Sequence, residues 1–282
     1  MMKHIPVLID AIMRELGDIH GQHVLDATFG AGGYTRAFLN AGASVVAFDR
    51  DPNVAADADI IKQEFGDRFH FVAAPFSEMA NLNEKFDAIV FDLGISSMQI
   101  DIPERGFSFR GDAPLDMRMS SAGPTAADLI ANATVADLAK ILRDYGDVSR
   151  AGVIAHAIAR AKPKTTFELK NLIYNPRDVA PVFQALRIAV NDEMGELQRA
   201  LSVAPKMLNP GGKCLVVTFH SIEDRIVKNT FRDLTTVPGN PLIPVAATAQ
   251  YKLIRATTPD ANELEQNPRA RSAHLRGVQK SY

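Results

Sequence analysis

The sequence predicts an α/β protein: a mostly parallel β-sheet with helices on both faces, interrupted by an inserted all-helical subdomain. Three observations carry this expectation. Short, nearly continuous apolar runs alternate with helical patterns in the first third of the chain, as strands buried on both faces do. A glycine-rich turn follows the first of these runs. Finally, 118 residues separate Asp92, at the end of the fourth run, from Gly211, just before the fifth. A strand–helix–strand crossover needs only about 30, and a compact domain rarely holds so long an interval as structureless loop.

In chain order, His23–Thr28, Ser44–Asp49, Phe69–Ala73 and Phe86–Asp92 read as strands. Between them, Tyr34–Asn40, Pro52–Phe65 with proline in the first turn, and a shorter segment after Ser77 read as helices. The long interval is itself helical, with Ala126–Asn132, Thr134–Tyr145, Ser149–Ala161, Thr166–Tyr174 and Val182–Leu208 as its elements and the last returning to pack on the sheet. Lys213–His220 is the fifth strand, and Gln250–Thr257 with Ser272–Lys280 a closing hairpin. The expected domains are 1–110 with 190–282 for the sheet and 111–189 for the insertion.

With 46% apolar and 23% charged residues over 282 positions, the composition is that of a soluble globular chain. The single cysteine, Cys214, excludes an intramolecular disulfide framework and a cysteine-rich zinc site, and seven scattered histidines suggest no metal. Met1–Glu15 carry charges where a signal peptide needs an unbroken apolar stretch. The longest uncharged run, Leu234–Tyr251, contains Pro238, Gly239, Pro241 and Pro244, so it reads as a loop and not a membrane span. A cytoplasmic protein without membrane association is expected. Residues 1–139 hold ten basic against twenty acidic side chains, 140–187 nine against four, and 250–282 six against three. An acidic first half followed by basic patches suits a polyanionic partner, and ordinary solvated charge accounts for it equally well.

The first strand runs into Asp26-Ala27-Thr28-Phe29-Gly30-Ala31-Gly32-Gly33-Tyr34-Thr35. Glycines allow a tight turn and close approach to a ligand, and the next helix offers unpaired N–H groups. Such turns also serve helix–strand packing, but between strand and helix they favour a nucleotide-like ligand. Counting from Gly30, the third glycine of a dinucleotide fingerprint is replaced by Thr35, and no P-loop is present. Asp49, closing the second strand, is placed to accept hydrogen bonds from ribose hydroxyls of a dinucleotide or an adenosyl group, whereas neighbouring Asp51 better fits a helix cap. Phe76 suits stacking on adenine or packing in the core. The fourth strand ends in Asp92-Leu93-Gly94-Ile95-Ser96-Ser97-Met98-Gln99, a denser polar cluster than packing requires.

Six blocks then occur in order along the whole chain: GAGGYT (from Gly30), DLGISSMQID (from Asp92), ERGFSFRGDAPLDMRM (from Glu104), FQALRIAVNDE (from Phe183), FHSIEDRIVK (from Phe219) and NPRARSAHLR (from Asn267). Together they resemble the bacterial 16S ribosomal RNA (cytosine-N4)-methyltransferase family (RsmH or MraW). The resemblance implies a Rossmann-like class I methyltransferase sheet that binds S-adenosyl-L-methionine. It further implies methylation of N4 of cytosine 1402 in the decoding region of 16S rRNA, the small ribosomal subunit as partner, and admits a homodimer. Carried over by position, the cofactor contacts fall on Gly32, Gly33, Tyr34, Asp49, Phe76, Asp92 and Gln99. Tyr34 stands where the family commonly has histidine, so contact there is expected through the backbone; Met98 stands where proline is frequent.

Within that resemblance, Asp92 is the candidate acceptor on the cofactor or amine side, Ser96 and Ser97 the base-positioning groups, and His220 a contact to the base or a late proton shuttle. The Asp/Asn/Ser-Pro-Pro-aromatic motif of many amino-methyltransferases is absent. Arg105, Phe107, Phe109, Arg110, Arg118 and the basic insertion helices, including Lys140, Arg143, Arg150, Arg160, Lys162 and Lys164, are candidates to hold RNA. Asn267–Ser272 is a second candidate phosphate contact.

Overall fold

The computed structural model describes residues 6–236 and 249–282, and the chain divides into two units, Met1–Gly94 with Glu196–Tyr282, and Ile95–Gly195. Residues 237–248, which hold most of the proline-rich loop expected after Leu234, and the first five residues lie outside the described ones.

The first unit is built on β1 (His23–Asp26), β2 (Ser44–Asp49), β3 (Phe69–Ala73), β4 (Phe86–Asp92), β5 (Leu208–Thr218), β6 (Tyr251–Thr257) and β7 (His274–Lys280). They form one sheet in the order β3-β2-β1-β4-β5-β7-β6. β1 to β5 pair in parallel, and β7 runs antiparallel to both β5 and β6. The expected doubly wound sheet and its closing hairpin are therefore present. The 3-2-1-4-5 order places the reversal of winding between β1 and β4, where sheets of this type open a crevice at the carboxyl ends of their strands.

The helices among the described residues are α1 (Ile9–Leu16), α2 (Gly33–Asn40), α3 (Ala55–Phe65), α4 (Ser97–Asp101), α5 (Ala126–Asn132), α6 (Val135–Gly146), α7 (Ala151–Ala161), α8 (Thr166–Asn171), α9 (Pro176–Asn191), α10 (Glu193–Val203), α11 (Ser221–Thr235) and α12 (Ala261–Gln266). In the sheet unit, Val24, Leu25, Ile89, Val90, Phe91, Leu215 and Val216 are fully buried, each side chain stabilising the fold by about 1.5–3 kcal/mol. Leu197, Ala200 and Leu201 of α10 join this core, so the returning helix packs on the sheet as expected.

Several boundaries differ from the sequence reading. The helix expected over Val182–Leu208 is two helices. α9 starts at Pro176, capped by Asn175, and carries Pro181 inside it; the chain turns left-handed at Asp192 (φ 49°) before α10. Pro181, which looks like a starting boundary, is tolerated within the helix, and its carbonyl lies where a Cβ on Gly146 would approach to 2.6 Å, so α6 and α9 meet closely there. The segment Phe76–Leu82 is a 3-10 helix, not an α-helix, and Pro52–Val54 forms a 3-10 turn ahead of α3 that is capped by Asp51, whose side chain accepts the Asn53 N–H. α1, α4, α11 and α12 had no counterpart in the sequence reading.

The helical unit has its own core, including Leu115, Met117, Leu138, Leu142, Ile158, Leu169, Val182 and Leu186. It begins at Ile95 rather than near residue 111 because Ile95, Phe107 and Phe109 pack into this core. Two of the sequence blocks meet here. Asn191 of α9 accepts the Met119 N–H at 2.7 Å and donates to the Met117 carbonyl at 2.7 Å, pinning a segment in which Met117 is left-handed (φ 61°).

Candidate active site

At the carboxyl end of β1 the buried carboxylate of Asp26 organises the glycine turn. Its Oδ1 accepts the Thr28 N–H at 3.1 Å and its Oδ2 the Thr35 hydroxyl at 2.7 Å. β1 therefore ends at Asp26 and not at Thr28, because that carboxylate bends the chain back on itself. The Thr28 hydroxyl in turn accepts the Asp92 N–H at 2.6 Å, tying the ends of β1 and β4 together.

Gly30 is left-handed (φ 54°) and donates its N–H to Asp49 Oδ2 at 2.8 Å. Gly32 is also left-handed (φ 74°), and a Cβ there would lie 2.5 Å from Ile61 Cδ1 and 3.0 Å from Phe29 Cζ. This position accepts only glycine without displacing its neighbours. A Cβ on Gly33 would meet Pro6 Cγ at 2.5 Å. The turn thus delivers the amino end of α2, with Tyr34 in its first turn, to the mouth of the crevice. The Tyr34 ring is buried and its hydroxyl donates to the Val7 carbonyl, so the side chain packs in the core.

Asp49 closes β2 and, besides Gly30, takes the Asp51 N–H at 2.9 Å. Burial raises its pKa, against the pull of these two N–H groups. Phe76 packs edge-on against Phe91, with ring centroids 5.6 Å apart and planes at 87°. Asp92 ends β4, and its Oδ1 is buried with no hydrogen-bond partner. Burial, then the charges of Asp26 and Glu223, holds the Asp92 carboxyl well above the usual carboxylate range. Burial likewise pushes Asp26 up to about 6, opposed by the Thr35 hydroxyl and assisted by the charge of Asp49. Asp26 and Glu223 escaped the sequence reading of site residues. The position of Asp26 at the very end of the first apolar run was the available signal for it; for Glu223 it was its place in the block that begins at Phe219.

His220 lies one turn beyond β5 as the cap of α11. Its Nδ1 accepts the Glu223 N–H at 3.4 Å, and its Nε2 sits 3.0 Å from Glu223 Oε1, outside hydrogen-bond alignment. Both ring nitrogens face Glu223, and His220 caps the helix through Nδ1.

The other candidates belong to the helical unit. Ser96 caps α4 in a reciprocal box with Gln99: Ser96 Oγ accepts the Gln99 N–H at 3.2 Å and Gln99 Oε1 the Ser96 N–H at 3.0 Å. The Ser97 backbone opens α4, and its side chain lies outside the described residues. Arg105 donates to the carbonyls of Arg118 and Met119, and Arg118 forks onto Asp116. Phe107 is buried and Phe109 packs on Phe183. These two arginines and two phenylalanines therefore build the unit. Among the described residues, no group of three or more His, Cys, Asp or Glu is arranged to hold a metal ion, and no helix is long and apolar enough to cross a membrane.

The sheet unit thus carries a glycine cradle flanked by Asp26, Asp49 and Asp92, at least one oxygen of which has no partner in the chain. Buried carboxylates without compensating charge are costly. A ligand bearing positive charge and hydroxyl groups fits this cradle: the first opposes the clustered acids and the second suits the remaining lone pairs of Asp49.

The model of the MraW methylase family matches residues 1–281. The ribosomal RNA small subunit methyltransferase H of Rhizobium johnstonii is 45% identical over 301 residues, covering 100% of this chain and 88% of that protein. Proteins of the same name from a Chelativorans species and from Brucella suis are each 45% identical, covering 99% and 98% of this chain and 87% of each relative. Matched from end to end by the family model and by these relatives, the chain belongs to the MraW methylase family.

Proposed function

We propose that this protein is an S-adenosylmethionine-dependent methyltransferase of small-subunit ribosomal RNA, acting on N4 of cytosine 1402 in the decoding region of 16S rRNA. The observation that carries this reading is the unpartnered, buried Asp92 oxygen at the switch point of the sheet, beside a glycine turn whose Gly32 and Gly33 have no room for a Cβ. Family membership and the names of the relatives support the choice of RNA.

When bound, S-adenosylmethionine supplies a methyl carbon made electrophilic by a positively charged sulfur. Gly32, Gly33 and the Tyr34 backbone would hold it, with Asp49 for the ribose hydroxyls and Phe76 for the adenine. A cation beside Asp92 favours the carboxylate over the acid. Asp92 then accepts a hydrogen bond from the exocyclic amine of cytosine, which localises a lone pair otherwise delocalised into the ring and stabilises the positive charge that develops there. Ser96, Ser97 and Gln99 are the remaining candidates, given by the family resemblance, for orienting the base and the donor. Holding both reactants in line contributes on the order of 7–11 kcal/mol at best. The target base must be single-stranded or extruded for its amine to be reached.

The test is methylation of unmodified small-subunit particles by the purified protein with tritiated S-adenosylmethionine, followed by mass mapping of the labelled nucleotide. Label on N4 of cytosine 1402, lost in Asp92→Ala with the native fold retained, supports the reading. Label elsewhere, or undiminished label with Asp92→Ala, overturns it.

A further inference from the structure

The amino end of α2 is held by the residues that precede α1. The ring of Pro6 lies where a Cβ on Gly33 would approach to 2.5 Å, and the Val7 carbonyl accepts the Tyr34 hydroxyl. Val7 and Leu8 are both buried. Leu8 is left-handed (φ 56°), a conformation unfavourable to leucine, and it enters α1 without a side-chain cap. Its N–H donates instead to Glu263 Oε1 at 2.5 Å, across 255 positions of the chain. Glu263 is fixed in turn, since its own N–H donates at 2.9 Å to Asp260 Oδ1, the cap of α12. The far end of α1 is tied as well, with Lys213 of β5 donating to the Glu15 carbonyl. A short polar residue at position 8 would cap α1 locally. A left-handed leucine held from the other end of the chain makes this segment depend on α12, and such a conformation persists only where its surroundings over-determine it. The contacts run without a gap from α12 through Leu8 and Val7 to Tyr34, with Pro6 seated on Gly33.

We propose that Glu263 is a positioning residue for the donor site: by accepting the Leu8 N–H it seats the strap Pro6–Leu8 against α2, and so keeps the Gly33–Tyr34 backbone in the arrangement that binds the adenosyl ligand. The inference rests on the reading above, in which the donor binds at the glycine turn. Glu263 binds the strap and not the ligand, and it acts through pre-organisation. A backbone already fixed in its bound arrangement loses less freedom when the ligand enters, and the bound ligand leaves more slowly. The Tyr34 side chain acquires a role as well, because its hydroxyl is the link between strap and helix. The carboxyl-terminal part of the chain thereby sets how long donor or product stays in a cradle built from the amino-terminal part.

The experiment follows association and dissociation of S-adenosylhomocysteine on the immobilised full chain by surface plasmon resonance, with hydrogen exchange and urea unfolding of the same variants in solution. Glu263→Ala should release the compound about tenfold faster than the wild type, with the association rate little changed. Exchange at the Arg36 amide, which bonds the Gly32 carbonyl at 2.9 Å, should quicken in the ligand-free variant while β4 stays protected. Glu263→Gln keeps an acceptor for the Leu8 N–H and should release within about twofold of the wild-type rate. Tyr34→Phe cuts the same path at Val7 and should also hasten release. A merely structural role for Glu263 would lower the urea midpoint and leave both the dissociation rate and the Arg36 amide as they are. Unchanged dissociation or unchanged Arg36 exchange in folded Glu263→Ala overturns the proposal; should that variant not fold, unchanged dissociation from Tyr34→Phe overturns it. If the native wild type binds no S-adenosylhomocysteine, the proposed function fails, and the Arg36 amide still decides whether Glu263 orders the amino end of α2.

Discussion

Asp26→Asn isolates the electrostatic cost of the crevice. The side chain is fully buried, and its two oxygens serve the Thr28 N–H and the Thr35 hydroxyl. Asparagine keeps the Thr28 bond through its Oδ1 and meets the Thr35 hydroxyl, which can also accept, with its amide; the Thr35 backbone N–H, a further partner of the carboxylate, is the one bond placed at risk when the charge is removed. In the folded protein the Asp26 carboxyl titrates near 6 instead of its ordinary 3.8, chiefly because of burial. A carboxyl whose pKa is raised by folding binds its proton more tightly in the native state, so stability is lost as pH rises from the unfolded to the folded value. The displacement from 3.8 to about 6 corresponds to about 3 kcal/mol, fully absent above the window and fully restored below it. Ligand-free Asp26→Asn should therefore match the wild type near pH 4 and exceed it in stability by about 3 kcal/mol near pH 8. Urea unfolding monitored by circular dichroism at both values measures this difference. The same variant should bind S-adenosylmethionine more weakly, since a charge that destabilises the empty crevice favours a cation within it. A stability difference that does not change with pH, or a loss of stability near pH 8, would refute the reasoning.

Gly32→Ala should destabilise the sheet unit by about 2–4 kcal/mol, combining a left-handed alanine with displacement of the buried Ile61 and Phe29 side chains; a change in urea midpoint worth less than about 1 kcal/mol would show that the turn relaxes at little cost. Ser96→Ala removes the acceptor of the Gln99 N–H and should cost about 1 kcal/mol. Faster hydrogen exchange at the Gln99 amide, with exchange in β1 and β4 unchanged, is the expected signature.

The parallel sheet was legible because β2 and β4 carry unbroken apolar runs, residues 45–48 and 88–91, as strands buried on both faces do. The glycine turn was legible for a related reason: Gly32 is left-handed with Ile61 and Phe29 where a Cβ would lie, so glycine is the residue type that this conformation favours. Asp49 and Asp92 could be picked out because each closes a strand. The break at Asp192 was missed because no glycine or proline occupies the left-handed position itself; the Arg187 fork onto Glu193 and the room that Gly195 leaves for the Asp192 carboxylate are contacts of the folded chain. Helix α11 was hidden too, because its cap is a histidine and not one of the short polar residues that usually announce a helix.

By itself the sequence determined the alternation of strands and helices, the presence of a helical insertion and the kinship of the chain, because burial periodicity, glycine stereochemistry and ordered motifs are properties of neighbouring residues; the order of the strands came from the folded sheet. Only the tertiary structure decided which polar residues of those motifs are occupied by the protein itself. Ser96, Gln99, His220, Arg105 and Arg118 bond within the chain, whereas Asp92 retains a buried oxygen with no partner. Whether a hydrogen-bonding group is satisfied depends on atoms brought near by folding from distant parts of the chain, and residue type alone does not encode it.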